Sequence, residues 1–123
     1  MVELDQMKSE ILSYKDTLKE VIDSLSLDSK VRRIEELELE MAEPGFWDNP
    51  ERSNKIMKDA KNLKDTVDLL NGLNTSYDDI LTLIEMGYEE NDAAMIPDIR
   101  AELDDFIEKL DGVRLKTLLT GQY

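Results

Sequence analysis

The chain has 123 residues, a length that favours one domain with one modest core. Charged residues make up 36% and aromatic residues 6%, a mixture that suits helices packed through aliphatic stripes rather than a sheet core. Fifteen basic and 29 acidic residues give a net charge of −14. Such a chain should not bind bare phosphate backbone over its whole surface, because the leading electrostatic term is repulsive, but it suits a basic protein partner.

Cysteine and histidine are both absent. Without cysteine there are no disulfides and no thiolate chemistry, and without histidine the commonest general base and metal ligand are missing. The first residues lack the basic start and apolar stretch of a signal peptide, and no apolar run approaches the roughly 20 residues that span a membrane. We therefore expect a cytoplasmic protein.

Apolar residues spaced alternately by three and four predict a first helix over residues 3–25. Its apolar face consists of Leu4, Met7, Ile11, Tyr14, Leu18, Val21 and Leu25. Residues 24–28 weaken helix propensity, so a bend or short break is expected there. A second, strongly acidic helix is predicted over residues 29–42, with Asp28 as its N-cap and with Pro44-Gly45 as its stop signal.

Residues 44–48 form a short turn-like segment, which consists of Pro44, Gly45, Phe46, Trp47 and Asp48. Asp48 or Asn49 can cap the helix that follows, and Pro50 suits its first turn. We expect the adjacent Phe46 and Trp47 to act as a hydrophobic plug that folds back over the end of the bundle. The alternative is an exposed aromatic anchor for a partner.

The longest heptad pattern runs through residues 50–88, and the rest of the chain is organised around it. Its seam consists of Ile56, Ala60, Leu63, Val67, Leu70, Asn74, Tyr77, Leu81, Ile84 and Tyr88. One helix of this length would extend roughly 50–60 Å and would need partner helices along its whole length. The heptad phase passes through Gly72 without slipping, which favours a continuous helix over a helix–turn–helix. Asn74 then either fixes the register from a buried seam position or is hydrated in a loosely packed region.

A polar connection over residues 87–94 leads to a last predicted helix over residues 93–119. Pro97 must lie in its first turns, and Gly121 is expected to end it. Its apolar face consists of Ile96, Ile99, Leu103, Phe106, Leu110 and Val113. The sequence thus predicts an all-α fold. We expect an elongated antiparallel bundle of three to four helices with coiled-coil-like packing, as a single domain over residues 1–123.

No constellation of residues predicts catalysis, a metal or a cofactor. The acidic clusters at 78–79, 89–92 and 104–105 lack the alternating spacing and glycine of a calcium loop, and solvated surfaces explain them. Without His or Cys, a catalytic site would need paired carboxylates or a Ser–Lys pair. Nothing separates such a pair from the general acidity of the chain.

One group of basic residues runs against the overall charge. Arg52, Lys55, Lys58, Lys61 and Lys64 recur every three residues and avoid the seam of the longest helix. They either pair with the acidic second helix and with water, or they form a small contact patch for an anionic partner. Surface pairs are worth at most about 1 kcal/mol each, so neutralising these cations should not unfold the domain.

Several stretches together resemble a known protein family. They are Arg33-Ile34-Glu35-Glu36-Leu37-Glu38, Met41, Pro44-Gly45-Phe46-Trp47-Asp48, Asn62-Leu63-Lys64 and the closing Leu118-Leu119-Thr120-Gly121-Gln122-Tyr123. In these motifs, and over nearly its whole length, the chain resembles the amino-terminal domain of bacterial peptide chain release factor 2. The Pro-Gly-Phe-Trp signature favours type 2 over type 1.

The resemblance implies a role on the ribosome. The family's amino-terminal domain is a helical bundle that reaches toward the GTPase-associated region of the large subunit, beside a basic stalk-base protein and 23S rRNA. The full factor reads UAA or UGA stop codons through a Ser-Pro-Phe-type tripeptide and triggers peptidyl-tRNA hydrolysis through a Gly-Gly-Gln loop. Neither motif occurs in these residues. The resemblance therefore implies a monomeric, non-catalytic ribosome-docking arm, whose residues 52–64 could touch RNA.

Two alternatives stay open on the sequence alone. The chain could be a self-associating coiled-coil adaptor that shares only helical composition with the family. It could also be a decoy that binds ribosomes and lacks release activity.

Overall fold

Every regular element among the described residues, 1–121 and 123 of a computed structural model, is helical, which confirms the predicted all-α bundle. The helices are α1 (Val2–Ser13), α2 (Lys15–Ser24), α3 (Leu27–Met41), α4 (Pro50–Glu90) and α5 (Ile96–Thr120), with 3-10 turns at Phe46–Asp48 and Ala93–Met95. Across the described part of the chain, no helix combines the length and apolar character needed to cross a membrane. Gln122, part of the closing motif, lies outside the described residues.

The first predicted helix is in fact two helices, so the prediction of one unbroken helix over residues 3–25 was wrong. The helix is interrupted at Tyr14, whose amide donates to the Ile11 carbonyl at 3.0 Å in a tighter turn. The Ser13 hydroxyl donates to the Glu10 carbonyl at 2.6 Å, and such local bonds compete with the helical ladder. The apolar face survives the interruption: six of its seven predicted residues are buried and Tyr14 is half-buried.

The predicted break between the first and second helices is confirmed, but the predicted cap is not. Ser26 adopts a left-handed conformation, with φ of 52°, and is the N-cap residue of α3 in place of Asp28. Asp28 lies in the first turn of α3, where a carboxylate interacts favourably with the helix dipole. Of the apolar side of α3, only Leu37 is fully buried.

The predicted continuous long helix is confirmed, since α4 runs unbroken through Gly72 for 41 residues. The predicted seam is buried or half-buried up to Leu70. Beyond it Tyr77 and Ile84 are buried as predicted, but every other position moves one residue earlier: Leu73, Ile80 and Gly87 are buried in place of Asn74, Leu81 and Tyr88. Asn74 is half-buried because the apolar Leu73 takes the core position beside it, and Leu81 likewise gives way to Ile80.

The chain forms two compact units, divided within α4. One, the bundle unit, comprises Met1–Leu25 and Asn71–Tyr123; the other, the hairpin unit, comprises Ser26–Leu70. The bundle unit contains α1, α2, α5 and the second half of α4. The hairpin unit contains α3 and the first half of α4, so each half of the long helix has its own apolar partners.

Pairings in the bundle unit define the helix directions. Lys8 forms an ion pair with Glu85 at 2.8 Å, and the Tyr88 hydroxyl donates to Asp5, so α1 and α4 are antiparallel. The bond to the carboxylate favours the protonated phenol and raises the pKa of Tyr88 to about 12. Arg100 donates to Glu10 at 3.0 Å, and the Phe106 ring lies edge-on to Tyr14 at 6.3 Å, so α5 runs parallel to α1 and α2.

The core of the hairpin unit is small and centred on one aromatic residue. The buried cluster consists of Leu37, Phe46, Ile56 and Ala60, with Met41 and Leu63 partly buried against it. The buried Ser53 hydroxyl donates to the carbonyls of Phe46 and Asn49, which ties the connecting turn to the first turn of α4.

Two glycines in α4 provide a matched test of this packing. A Cβ on Gly87 would lie 3.0 Å from Leu4 Cδ1, whereas a Cβ on Gly72 would meet nothing within 4 Å. We expect Gly72→Ala to raise the free energy of unfolding by about 1 kcal/mol, the helix propensity gain. In Gly87→Ala the same gain is offset by overpacking against Leu4, which typically costs about 1–3 kcal/mol. In urea denaturation, the free energy of unfolding of Gly87→Ala should therefore be at least about 1 kcal/mol lower than that of Gly72→Ala. Equal free energies of unfolding would contradict the packing of α1 on α4.

Candidate functional site

The turn at residues 44–48 separates its two aromatic side chains. Phe46 is 2% exposed and fills the hairpin core, whereas Trp47 is 63% exposed. The plug prediction therefore holds for Phe46 and was wrong for Trp47. In a 3-10 turn successive side chains point about 120° apart, so when Phe46 enters the core its neighbour must point elsewhere. The two rings touch edge-on, with centroids 4.9 Å apart.

The backbone around Trp47 is held by specific contacts. Gly45 has φ of +81°, a left-handed conformation that favours glycine. Asn49 Oδ1 accepts a hydrogen bond from the Arg52 amide at 3.2 Å. Of the two residues predicted to cap α4, Asp48 and Asn49, it is therefore Asn49 that does so. Trp47 is thus presented to solvent on a turn fixed from both sides.

Acidic side chains surround this turn along the chain. Glu43, Asp48 and Glu51 are exposed, and none of them forms an ion pair with another described residue. An indole ring attracts cations through its face, and unpaired carboxylates add to that preference. The electrostatic character of the turn therefore favours a basic partner.

The basic residues of the first half of α4 are mostly matched by carboxylates. Arg52 lies 3.7 Å from Glu40 and Lys64 lies 3.0 Å from Glu38, both on α3. The other pairs are Lys55 with Asp59 at 3.0 Å and Lys61 with Asp65 at 2.9 Å, each one turn along α4. Lys58 forms no ion pair within the described part of the chain. All these side chains are substantially exposed, so each pair holds its cation only weakly.

Charge is divided unevenly between the two units. The bundle unit has 7 basic and 18 acidic residues, a net charge of −11, whereas the hairpin unit has 8 basic and 11 acidic residues, a net charge of −3. The hairpin unit is therefore the part of the chain that an RNA backbone repels least. The described residues contain no group of three or more acidic side chains arranged to hold a metal ion.

Sequence reasoning missed an exposed apolar surface near the end of α5. Leu115, Leu118 and Leu119 are all exposed, beyond the last buried residue of that helix, Val113. The sequence contained a signal for this surface. The predicted apolar face ended at Val113, but leucines recur over the next six residues.

The hairpin unit and the bundle unit together define an all-helical module. A family model matches it: the chain belongs to the PCRF domain family, through residues 30–123. The chain is 35% identical over its full length to peptide chain release factor 2 of Clostridium perfringens, of which it covers 34%. It is 33% identical, over 99% of its length, to peptide chain release factor 2 of Staphylococcus saprophyticus, and it covers 33% of that protein. It is 28% identical, over its full length, to the same factor of Yersinia enterocolitica, and it covers 34% of that protein.

These comparisons confirm the resemblance to the amino-terminal domain of release factor 2. The chain spans about a third of the length of the curated relatives it matches.

The contrast between Phe46 and Trp47 yields a stability prediction. We expect Phe46→Ala to lower the free energy of unfolding by about 3–5 kcal/mol, as large core truncations do. Trp47→Ala should change it by less than about 1 kcal/mol, because its side chain is mostly exposed. Chemical denaturation of the two variants checks this. A loss of several kcal/mol in the free energy of unfolding of Trp47→Ala would show that Trp47 is part of the core.

Proposed function

We propose that this chain is the ribosome-docking arm of a translation termination factor and carries none of the factor's chemistry. The observation that carries the proposal is the PCRF match over residues 30–123, with similarity along the entire chain to proteins named peptide chain release factor 2. Type 2 relatives imply a factor that acts at UAA and UGA codons. Codon reading and peptidyl-tRNA hydrolysis would then belong to the remaining two thirds of a protein of the relatives' length.

The docking site we propose is the GTPase-associated region of the large subunit, with a basic stalk-base protein and 23S rRNA as neighbours. The charge division between the units supports this pairing of partners. A basic protein suits the carboxylate-rich surfaces of the chain, while the hairpin unit, at −3, is the unit that can approach RNA.

The basic residues Arg52 to Lys64 are the proposed RNA contact. Their ion pairs are solvent-exposed and worth about 0–1 kcal/mol each, so a phosphate can replace a carboxylate at little cost. Lys58 can bind a phosphate without first giving up a carboxylate, because it has no carboxylate partner among the described residues.

Trp47 is the proposed anchor for the basic protein. An exposed indole on a fixed turn, next to Asp48 and Glu51, suits an arginine or lysine side chain of the partner. Tryptophan is also among the residues that most often dominate binding energy in protein interfaces.

Removing the arm from the full-length factor tests the proposal. We expect deletion of residues 1–123 to weaken binding to ribosomes stalled at a stop codon by at least about tenfold, since hot-spot contacts are worth 2 kcal/mol or more. Peptide release at saturating factor should persist, because the chemistry lies elsewhere. Unchanged affinity on deletion would refute the docking role.

Point variants locate the contact in the same assay. Trp47→Ala should weaken ribosome binding by about tenfold, a loss of roughly 1.4 kcal/mol. Leu39→Ala is the matched control, because Leu39 is similarly exposed, at 72%, in the same unit and lies outside the turn. Equal affinity of the two variants would exclude Trp47 as an anchor and leave the basic residues as the candidate contact.

A further inference from the structure

The last two turns of α5 expose three leucines on one face. Leu115, Leu118 and Leu119 are 58%, 80% and 76% exposed, and the spacing of i, i+3 and i+4 places them side by side. We call these three residues the leucine face. Single exposed apolar residues are ordinary, whereas neighbouring ones form an apolar patch, a surface suited to contact with another segment.

A groove continues the leucine face toward α2. It has a volume of about 230 Å³ and is lined by Glu20, Val21 and Ser24 of α2 and by Arg114, Thr117 and Leu118 of α5. Leu118 belongs to both the groove and the face. An apolar segment lying over the leucines could therefore also place a side chain between the two helices.

The chain leaves α5 next to this surface. Gly121 ends the helix in a left-handed conformation, with φ of 70°, and its amide donates to the Thr117 carbonyl at 2.8 Å. The Tyr123 ring lies 4.1 Å from the Lys116 Nζ. The last residue of the sequence is therefore beside the final two turns of α5, and any residues after it begin within reach of the leucine face.

We propose that the leucine face is an intramolecular docking surface, covered by the segment that follows Tyr123 in the full-length factor. This rests on the proposed function, because it requires a protein of about the relatives' length, of which this chain spans 34%. The contact would fix the direction in which the body of the factor leaves the arm.

Tethering and area favour this segment over a second copy of the chain. A segment joined at Tyr123 has an effective concentration on the order of millimolar at the leucine face. Three leucines offer at most a few hundred Å², below the roughly 800 Å² per partner of a stable interface. A second copy would also bring its own net charge of −14 against the first.

Photo-cross-linking in the full-length factor identifies the occupant. Leu118 is replaced by the photoreactive p-benzoylphenylalanine. The protein is then irradiated, and the cross-linked adduct is mapped by peptide mass spectrometry. We expect a bond within the same molecule to a peptide that follows Tyr123. The same group at the exposed Leu39 of the hairpin unit is the control and should not give that adduct. An adduct to a second copy or to a ribosomal protein, or no adduct, would overturn the proposal.

Solvent protection gives an independent readout. We expect Leu118→Cys in the full-length factor to react with maleimide at least about tenfold more slowly than Leu39→Cys, at a ratio that does not change on dilution. Equal rates, or protection lost on dilution, would show the face to be uncovered or covered by a second copy. Ribosome binding measured on the same variants separates the two proposals: normal binding with an unprotected position 118 would overturn the leucine-face contact and leave the docking role intact.

Discussion

The 41-residue helix α4 can persist in water only if apolar partners cover both of its halves. An isolated helix with one apolar stripe gains too little from its own hydrogen bonds to overcome the entropy of ordering. In the hairpin unit, Ile56 and Ala60 pack with Leu37 and Phe46. In the bundle unit, the second half of α4 packs with α1 and α5. After Leu70 alternate buried positions lie one residue earlier than predicted, at Leu73, Ile80 and Gly87, where α4 changes partners within one unbroken helix.

Repeating patterns made most of the fold predictable, and competition between neighbouring residues explains the failures. Heptad spacing predicted every long helix, and Pro50, Pro97 and Gly121 lie at the helix ends where their backbone preferences place them. Spacing alone could not decide whether Asn74 or the adjacent Leu73 would be buried, nor which ring of Phe46-Trp47 would enter the core. Those outcomes depend on which side chain meets an apolar cavity formed by residues distant in sequence.

The candidate contacts were only partly visible in the sequence for the same reason. The basic residues of α4 follow from spacing, but their pairing with Glu38 and Glu40 depends on how α3 packs beside them. The burial of Phe46 and the exposure of Trp47 are two results of one turn, so the side chain that stabilises the hairpin unit also presents the proposed anchor. Stability and partner binding can therefore be separated by substituting neighbouring residues.

We propose that this chain is one arm of a longer termination factor whose chemistry lies outside it. The most direct test is to read the gene downstream of the Tyr123 codon. We predict an in-frame continuation to about the relatives' length, with a Ser-Pro-Phe-type tripeptide followed by Gly-Gly-Gln. A stop codon directly after the Tyr123 codon would contradict this proposal, because a protein without the two motifs could not release peptides itself.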